Sequence, residues 1–230
     1  NAQLIAVTES GNTGQRLSTS NASNHRDIGS NAVDLSYSSS SSSTRGASGN
    51  YAVAMGNNST ASGDYSTALG YYSVASGGYG AIAMGNQTTA SGANSTVMGE
   101  GGTASGAAST AMGRGTTASD YASLVIGQYN SSGSSVTNNA TSFNTANTAF
   151  VIGNGADSSN KSDAFKVMFN GDTYISSSLY IGGTAITSTA AEINLLDGVT
   201  TVGSGILSSA TESGNTGVRL STSNSANHGD

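Results

Sequence analysis

The chain of 230 residues contains no cysteine, no proline and no tryptophan. The missing thiols exclude a disulfide framework, a thiolate zinc site, a thiol nucleophile and an iron–sulfur cluster. Histidine occurs only at His25 and His228, which argues against a multi-histidine metal centre within one chain. Charge is scarce too: 9% of residues, against roughly 25% in an ordinary soluble domain. Seven Lys plus Arg against 13 Asp plus Glu leave a net charge of −6. Nucleic acid, which is bound through clustered cations, is therefore not an expected partner. No run approaches the ~18 apolar residues that a membrane-spanning helix needs, so no membrane insertion is expected in this segment, and no secretory signal is visible from Asn1 onward. The chain also lacks a His beside a Ser and acid pair, a carboxylate pair in an apolar setting and a phosphate-binding loop. No catalytic residue, no cofactor and no enzymatic activity are expected.

What is abundant is small and polar. Gly alone contributes 32 residues, and Ser, Thr, Asn and Ala supply most of the rest. Such low complexity ordinarily reads as disorder. Disordered chains of that kind carry high charge, however, and this one does not, so the order of the residues has to decide.

That order is periodic. A large apolar residue followed by Gly occurs at Met55-Gly56, Leu69-Gly70, Met84-Gly85, Met98-Gly99, Met112-Gly113 and Ile126-Gly127, in steps of 14, 15, 14, 14 and 14. A second marker, Ala-Ser-Gly, begins at Ala47, Ala61, Ala75, Ala90, Ala104 and Ala118, with Asp120 in the last Gly slot. It keeps the same beat and slips once, beside the extra Gly of Gly77-Gly78. Fourteen residues are too few for a helix pair and suit one coil of a β-solenoid, with two strands of roughly five residues and two tight turns. Successive coils would rise by about 4.8 Å. The column of large residues and the small column before it (Ala54, Ala68, Ala83, Val97, Ala111, Val125) point to opposite faces. A thin coil covers only its inside, so the second apolar face needs a partner. The spacing predicts an all-β, parallel solenoid that associates with itself, with Met55, Leu69, Met84, Met98, Met112 and Ile126 as structural core columns.

The rest of the chain divides around this solenoid. Residues 1–27 form a module junction, 28–129 the β-solenoid with an irregular first coil at Ala32–Leu35, and 130–148 a polar linker or loop. Residues 149–187 read as a small β module with a hairpin turn at Asn170-Gly171. A short helix capped by Ser188 or Thr189 and stopped by Gly198 falls in 188–203. Residues 204–230 start another unit: 14 of 17 positions in 9–25 recur in 212–228 at a constant offset of 203. This reads as one full module plus overlap, taken from a longer modular protein.

The coils across residues 46–128, ending one strand in small-apolar-Gly and the other in Ala-Ser-Gly, resemble the head repeats of YadA-like trimeric autotransporter adhesins. The resemblance implies a left-handed β-roll, a homotrimeric fibre and an extracellular location. The segments Phe150–Gly155 through Asn170-Gly171-Asp172 resemble modules of such adhesins and of phage tail fibres, and Gly183–Thr200 resembles a recurring tail-fibre module. The mixture fits a virion host-attachment fibre somewhat better than a bacterial adhesin head. A purely structural extracellular filament is the third reading. In each, the expected partner is the chain itself, with a host cell-surface glycan or protein as a further candidate.

Few residues stand out as sites. His25 and His228 occupy equivalent places in the long repeat; they read either as a ring at a trimer axis or, more simply, as surface or turn residues copied with their module. Asp157, Asp163 and Asp172 lie in an oxygen-rich stretch, without calcium-loop spacing, and ordinary turn carboxylates are the simpler reading. Tyr51 and Tyr65 share a column, with Tyr71, Tyr72 and Tyr79 nearby; clustered aromatics suit contact with sugar rings or a protein receptor and suit equally the cover of a fibre flank.

Overall fold

The computed structural model describes residues 1–190, 193, 208–212 and 215–219. It separates into two units, Asn1–Ser177 and Ser178–Asp230. In the first unit a hairpin, β1 (Leu4–Glu9) and β2 (Asn12–Leu17), precedes a β-solenoid of about eight turns. Each regular coil holds one long and one short strand. These are β3 (Val33–Tyr37) and β4 (Gly46–Ala47), β5 (Val53–Asn57) and β6 (Thr60–Ala61), and β7 (Thr67–Tyr71) and β8 (Val74–Ala75). Then follow β9 (Ile82–Asn86) and β10 (Thr89–Ala90), β11 (Thr96–Glu100) and β12 (Thr103–Ala104), and β13 (Thr110–Arg114) and β14 (Thr117–Ala118). The last parallel strands are β15 (Leu124–Gln128) and β16 (Thr148–Asn154).

The odd-numbered strands from β3 to β15, followed by β16, form one parallel ladder, and the even-numbered strands from β4 to β14 form another. The registers keep like residues level: Leu35, Met55, Leu69, Met84, Met98, Met112, Ile126 and Ile152 pair in turn. The short side is narrower than expected, two residues per strand in place of about five, because turns with left-handed residues such as Asn58 and Gln87 occupy the corner before it. The long ladder also runs past residue 129. β16 adds to β15 in register, so residues 130–147 are an insertion between two coils, and 149–154 extend the solenoid in place of opening a separate module.

The core is the small column. Ala54, Ala68, Ala83, Val97, Ala111, Val125 and Val151 on the long strands face Ala47, Ala61, Ala75, Ala90, Ala104 and Ala118 on the short ones, all wholly buried. Two opposed ladders leave room for little more than a methyl group. Ser and Thr fill the inner corners, and some return their hydroxyls to the backbone: Ser59 Oγ donates to the carbonyls of Met55 and Gly70, both at 3.0 Å, while the Ser66, Ser95 and Thr116 hydroxyls are buried without a partner. The bulky column is thus not the interior of the coil. It lies on the outside, where Met55 is 40% and Leu69 38% exposed.

Glycine sets the vertical spacing. At Gly56, Gly70, Gly85, Gly99, Gly113 and Gly127 φ lies between +93° and +129°, and an added Cβ would sit about 2 Å from the carbonyl oxygen of the glycine one coil above. A second glycine column behaves alike: a Cβ on Gly106 would lie 2.1 Å from the Asp120 carbonyl oxygen. Asp120 itself tops that column and is free to carry a side chain. Its carboxylate caps the ladder by accepting the Thr137 and Thr148 N–H groups at 2.6 and 2.7 Å.

Beyond the solenoid, β17 (Asp163–Met168) folds back antiparallel on β16, and β18 (Thr173–Ile175) on β17, around the turn that contains Asn170 and Gly171. In the second unit β19 (Tyr180–Ile181) and β20 (Thr184–Ala185) form a hairpin whose two turn residues, Gly182 and Gly183, both have positive φ, as a two-residue turn requires. β21 (Ser208–Glu212) and β22 (Asn215–Arg219) pair antiparallel. Their register, from Glu212↔Asn215 to Ser208↔Arg219, is that of β1 and β2 displaced by 203 residues, so the repeated sequence repeats its hairpin. Of the helix expected in 188–203, Ala190 and Ile193 are helical, and the Ile193 N–H donates to the Thr189 carbonyl at 3.0 Å; the remainder of that segment lies outside the described residues.

Candidate interaction surface

The alternation of the long strands gives the solenoid an outer face with two apolar columns. One is the bulky column. The other, two residues earlier, is Val33, Val53, Thr67, Ile82, Thr96, Thr110, Leu124 and Phe150, level with one another. Seven steps of about 4.8 Å make this strip roughly 34 Å tall. It contains no ionisable side chain. Its residues are half-buried or exposed. A polar rim runs beside it through Asn57, Asn86, Glu100, Arg114 and Gln128, where exposed Glu100 and Arg114 approach to 3.4 Å across neighbouring coils. A largely apolar, uncharged centre with a polar border is the anatomy of a protein interface.

The five tyrosines fall into two groups at opposite ends of the long strands. Tyr51, Tyr65 and Tyr79 stack along the coils: Tyr51 and Tyr65 with centroids 5.0 Å apart and planes 3° from parallel, Tyr65 and Tyr79 at 5.4 Å and 26°. Tyr51 and Tyr65 occupy a left-handed turn position, with φ of 56° and 57°. The inserted glycine shifts this register, so Gly80, with φ of 57°, takes the backbone position and Tyr79 reaches the stack from one residue earlier. Tyr71 and Tyr72 form a separate edge-to-face pair at 4.6 Å, and the Arg45 guanidinium lies 5.6 Å from the Tyr72 ring. The faces between the stacked rings are turned toward one another, which leaves mainly ring edges for a partner.

The carboxylates do not converge. Asp157 accepts the Ser159 and Asn160 N–H groups and the Asn160 amide. Those hydrogen bonds, the Asn160 side chain foremost, hold its pKa below the usual carboxylate value. Asp163 accepts from Ser131 and Ser132, and Asp172 from the Asn170 amide at 2.8 Å. Among the described residues no group of three His, Asp or Glu side chains is arranged to hold a metal ion.

His25 is neither on the surface nor in an open turn. Its side chain is buried in the cap that closes the first coil, with Nδ1 3.1 Å from Asp34 Oδ2. Asp34 replaces alanine in the inner column and is wholly buried. It also meets Arg16 Nε at 3.3 Å, the Ser36 hydroxyl at 2.6 Å and the Ser36 N–H at 3.0 Å. Burial opposes ionisation of Asp34, but the hydrogen bonds from His25 and Ser36, with the His25 charge, outweigh it and hold the carboxyl below its ordinary value. Glu9 completes the network: Oε1 takes Arg16 Nη1 at 2.6 Å and Oε2 takes the Ile28 N–H at 2.9 Å. His228 lies outside the described residues. The sequence carried a signal for this cap that periodicity alone passes over: Glu9, Arg16 and His25 recur together as Glu212, Arg219 and His228 in a chain that has few charges.

A family model described as the YadA head domain repeat (2 copies) matches residues 47–73, 76–100 and 104–130. These coils are YadA-like head repeats. No curated protein and no solved structure matches the chain significantly. The first matched residue, Ala47, lies in the first short strand, and the last, Asn130, tops the inner corner column. The Asn130 side chain bonds the Thr117 N–H and carbonyl at 2.8 and 2.9 Å. Asn130 opens an Asn-Ser-Ser triplet, but with its side chain fully buried it is closed to glycan attachment in the folded chain. The matched repeats thus coincide with the regular coils, and the cap before them and the segment after Asn130 lie outside the match.

Proposed function

We propose that the chain is part of the adhesive head of a homotrimeric, surface-exposed fibre, in which the outer face of each solenoid is covered by its copies. The observation that carries this reading is the match of the head repeats to the very coils that present the uncharged outer strip. It favours a bacterial trimeric adhesin over a phage tail fibre, the reading drawn from residues beyond 149. The proposed role is non-enzymatic. Stacked coils form a stiff element held by main-chain ladders, and copies of it act together, so weak contacts with a surface add up. Among the described residues no helix is long and apolar enough to cross a membrane; anchoring is not assigned to this segment.

The test is adhesion by the chain itself. Beads coated with it are expected to bind epithelial cell layers, or to clump with one another, more than beads coated with the Met98→Glu, Met112→Glu double variant, whose added charges fall in the strip. Equal adhesion by both, or none by either, would contradict the reading.

A further inference from the structure

Beside the buried cap lies a cleft of about 330 Å³, bounded by the loop after β2 and the end of β3, that no part of the reading above uses. Leu17, Thr19, Ser20, Asn21, Asn24, His25 and Ser36 to Ser39 line it. Its chemistry is specific. Thr19, Ser20 and Ser39 have hydroxyls that bond nothing among the described residues, as do the Asn21 amide nitrogen and the Asn24 amide oxygen. Tyr37 is 63% exposed, and its ring has no aromatic or cationic partner, unlike Tyr51, Tyr65, Tyr79 or Tyr72.

His25 supplies the second, independent observation. Its side chain is only 2% exposed. Nδ1 faces the Asp34 carboxylate at 3.1 Å, which leaves Nε2 for another partner. Nε2 has no partner among the described residues, and His25 lines the cleft. A ligand hydroxyl, both donor and acceptor, satisfies that nitrogen whether or not it carries a proton.

The rest of the lining excludes other classes. Of the charges nearby, Arg16 is paired with Glu9 and Asp34, and Arg45 is bonded to the hydroxyls of Ser38 and Ser40. No Lys or Arg is among the residues that line the cleft, and Leu17 is the only aliphatic side chain among them, too little for a lipid. Neutral hydroxyls, amides, one imidazole nitrogen and one free aromatic face suit a ligand rich in hydroxyls with an apolar ring face.

We propose that this cleft binds a neutral saccharide of one or two rings, with Tyr37 against the sugar face and His25 Nε2 hydrogen-bonded to a sugar hydroxyl. The chemistry rests on the cap alone; its biological use rests on the adhesive reading, and bead adhesion can fail or succeed independently of it.

Saturation-transfer NMR on the full chain tests this, with glucose, galactose, mannose and N-acetylglucosamine each offered at about 10 mM, where millimolar affinities register. At least one sugar is expected to receive saturation. Tyr37→Ala, at an exposed site, is expected to weaken binding about tenfold, and the isosteric Thr19→Val to weaken it several-fold, while Tyr51→Ala leaves it unchanged. No transfer to any of the four sugars, or undiminished transfer in Tyr37→Ala, overturns the proposal. Loss in Tyr51→Ala with retention in Tyr37→Ala also overturns it, by moving the contact to the tyrosine stack.

Discussion

Gly99→Ala and Gly101→Ala make the same chemical change two residues apart and separate conformational preference from coil spacing. Gly101 has φ of +63° with nothing within 4 Å of an added Cβ. Its substitution costs only the left-handed penalty, about 1–2 kcal/mol. Gly99 has φ of +126°, and its Cβ would meet the Gly113 carbonyl oxygen at 2.0 Å and the Gly113 carbon at 2.9 Å. Both are backbone atoms and cannot rotate away. Relief requires the coils at β11 and β13 to part by about an ångström, judged against ordinary contact distances. Five residue pairs from Thr96↔Thr110 to Glu100↔Arg114 share that ladder, and each hydrogen bond weakened forfeits on the order of 1 kcal/mol. With backbone strain of about 1–3 kcal/mol, Gly99→Ala is expected to cost at least ~4 kcal/mol, and Gly101→Ala less than half of that. Urea unfolding followed by far-UV circular dichroism measures both. Equal destabilisation by the two variants would refute the claim that contact between stacked glycines sets the spacing of the coils.

Four further outcomes follow from the same structure. Because the Asp34 pKa is lowered on folding, the stability it contributes is fully present above its ordinary value of 3.8 and is lost as pH falls below that value; hydrogen exchange at Ile28 and Ser36 should accelerate at pH 3 before that of the regular coils, and uniform acceleration would contradict it. Asp120→Ala leaves the buried Thr148 N–H without its acceptor and removes that of the more exposed Thr137 N–H, and should cost about 1–3 kcal/mol in thermal or urea unfolding. Ala108 sits at φ of +56° on the exposed side of a turn, so Ala108→Gly should be neutral to stabilising by up to about 1 kcal/mol; a clear loss of stability would show that the turn is not strained. Tyr65→Ala removes both ring contacts of the stack and should cost about 1–2 kcal/mol without changing the circular dichroism spectrum.

Much of the fold was legible because a solenoid writes its geometry into the sequence as a period. Two markers slipping together at Gly77-Gly78 placed each long strand correctly, and the structure shows the slip absorbed at the turn where Gly80 replaces a tyrosine. Inside and outside were harder to assign. Alternation shows that Met55 and Ala54 face opposite ways, but the space between the two ladders decides which faces inward, and in the regular coils it takes only Ala or Val. The short strands are shorter than the expected five residues because the residues that turn the corner, such as Asn58 and Gln87, adopt left-handed backbone, and the period alone does not divide a coil between strand and turn. The continuation at β16 was hidden because the step from Ile126 to Ile152 is 26 residues, 12 more than the period of 14, although Ile152-Gly153 repeats the marker. The cap network joins Glu9, Arg16, His25 and Asp34 from β1, β2, the loop after it and β3, and no local period links them.

The central claim is that the uncharged outer strip is an interface between copies of this chain. Sedimentation equilibrium of the chain measures it directly. One copy weighs 22.6 kDa, so the account predicts a β-rich species of three times that mass, reduced toward a single copy by Met98→Glu with Met112→Glu. A folded, β-rich protein that sediments as a 22.6 kDa monomer at all accessible concentrations would contradict it.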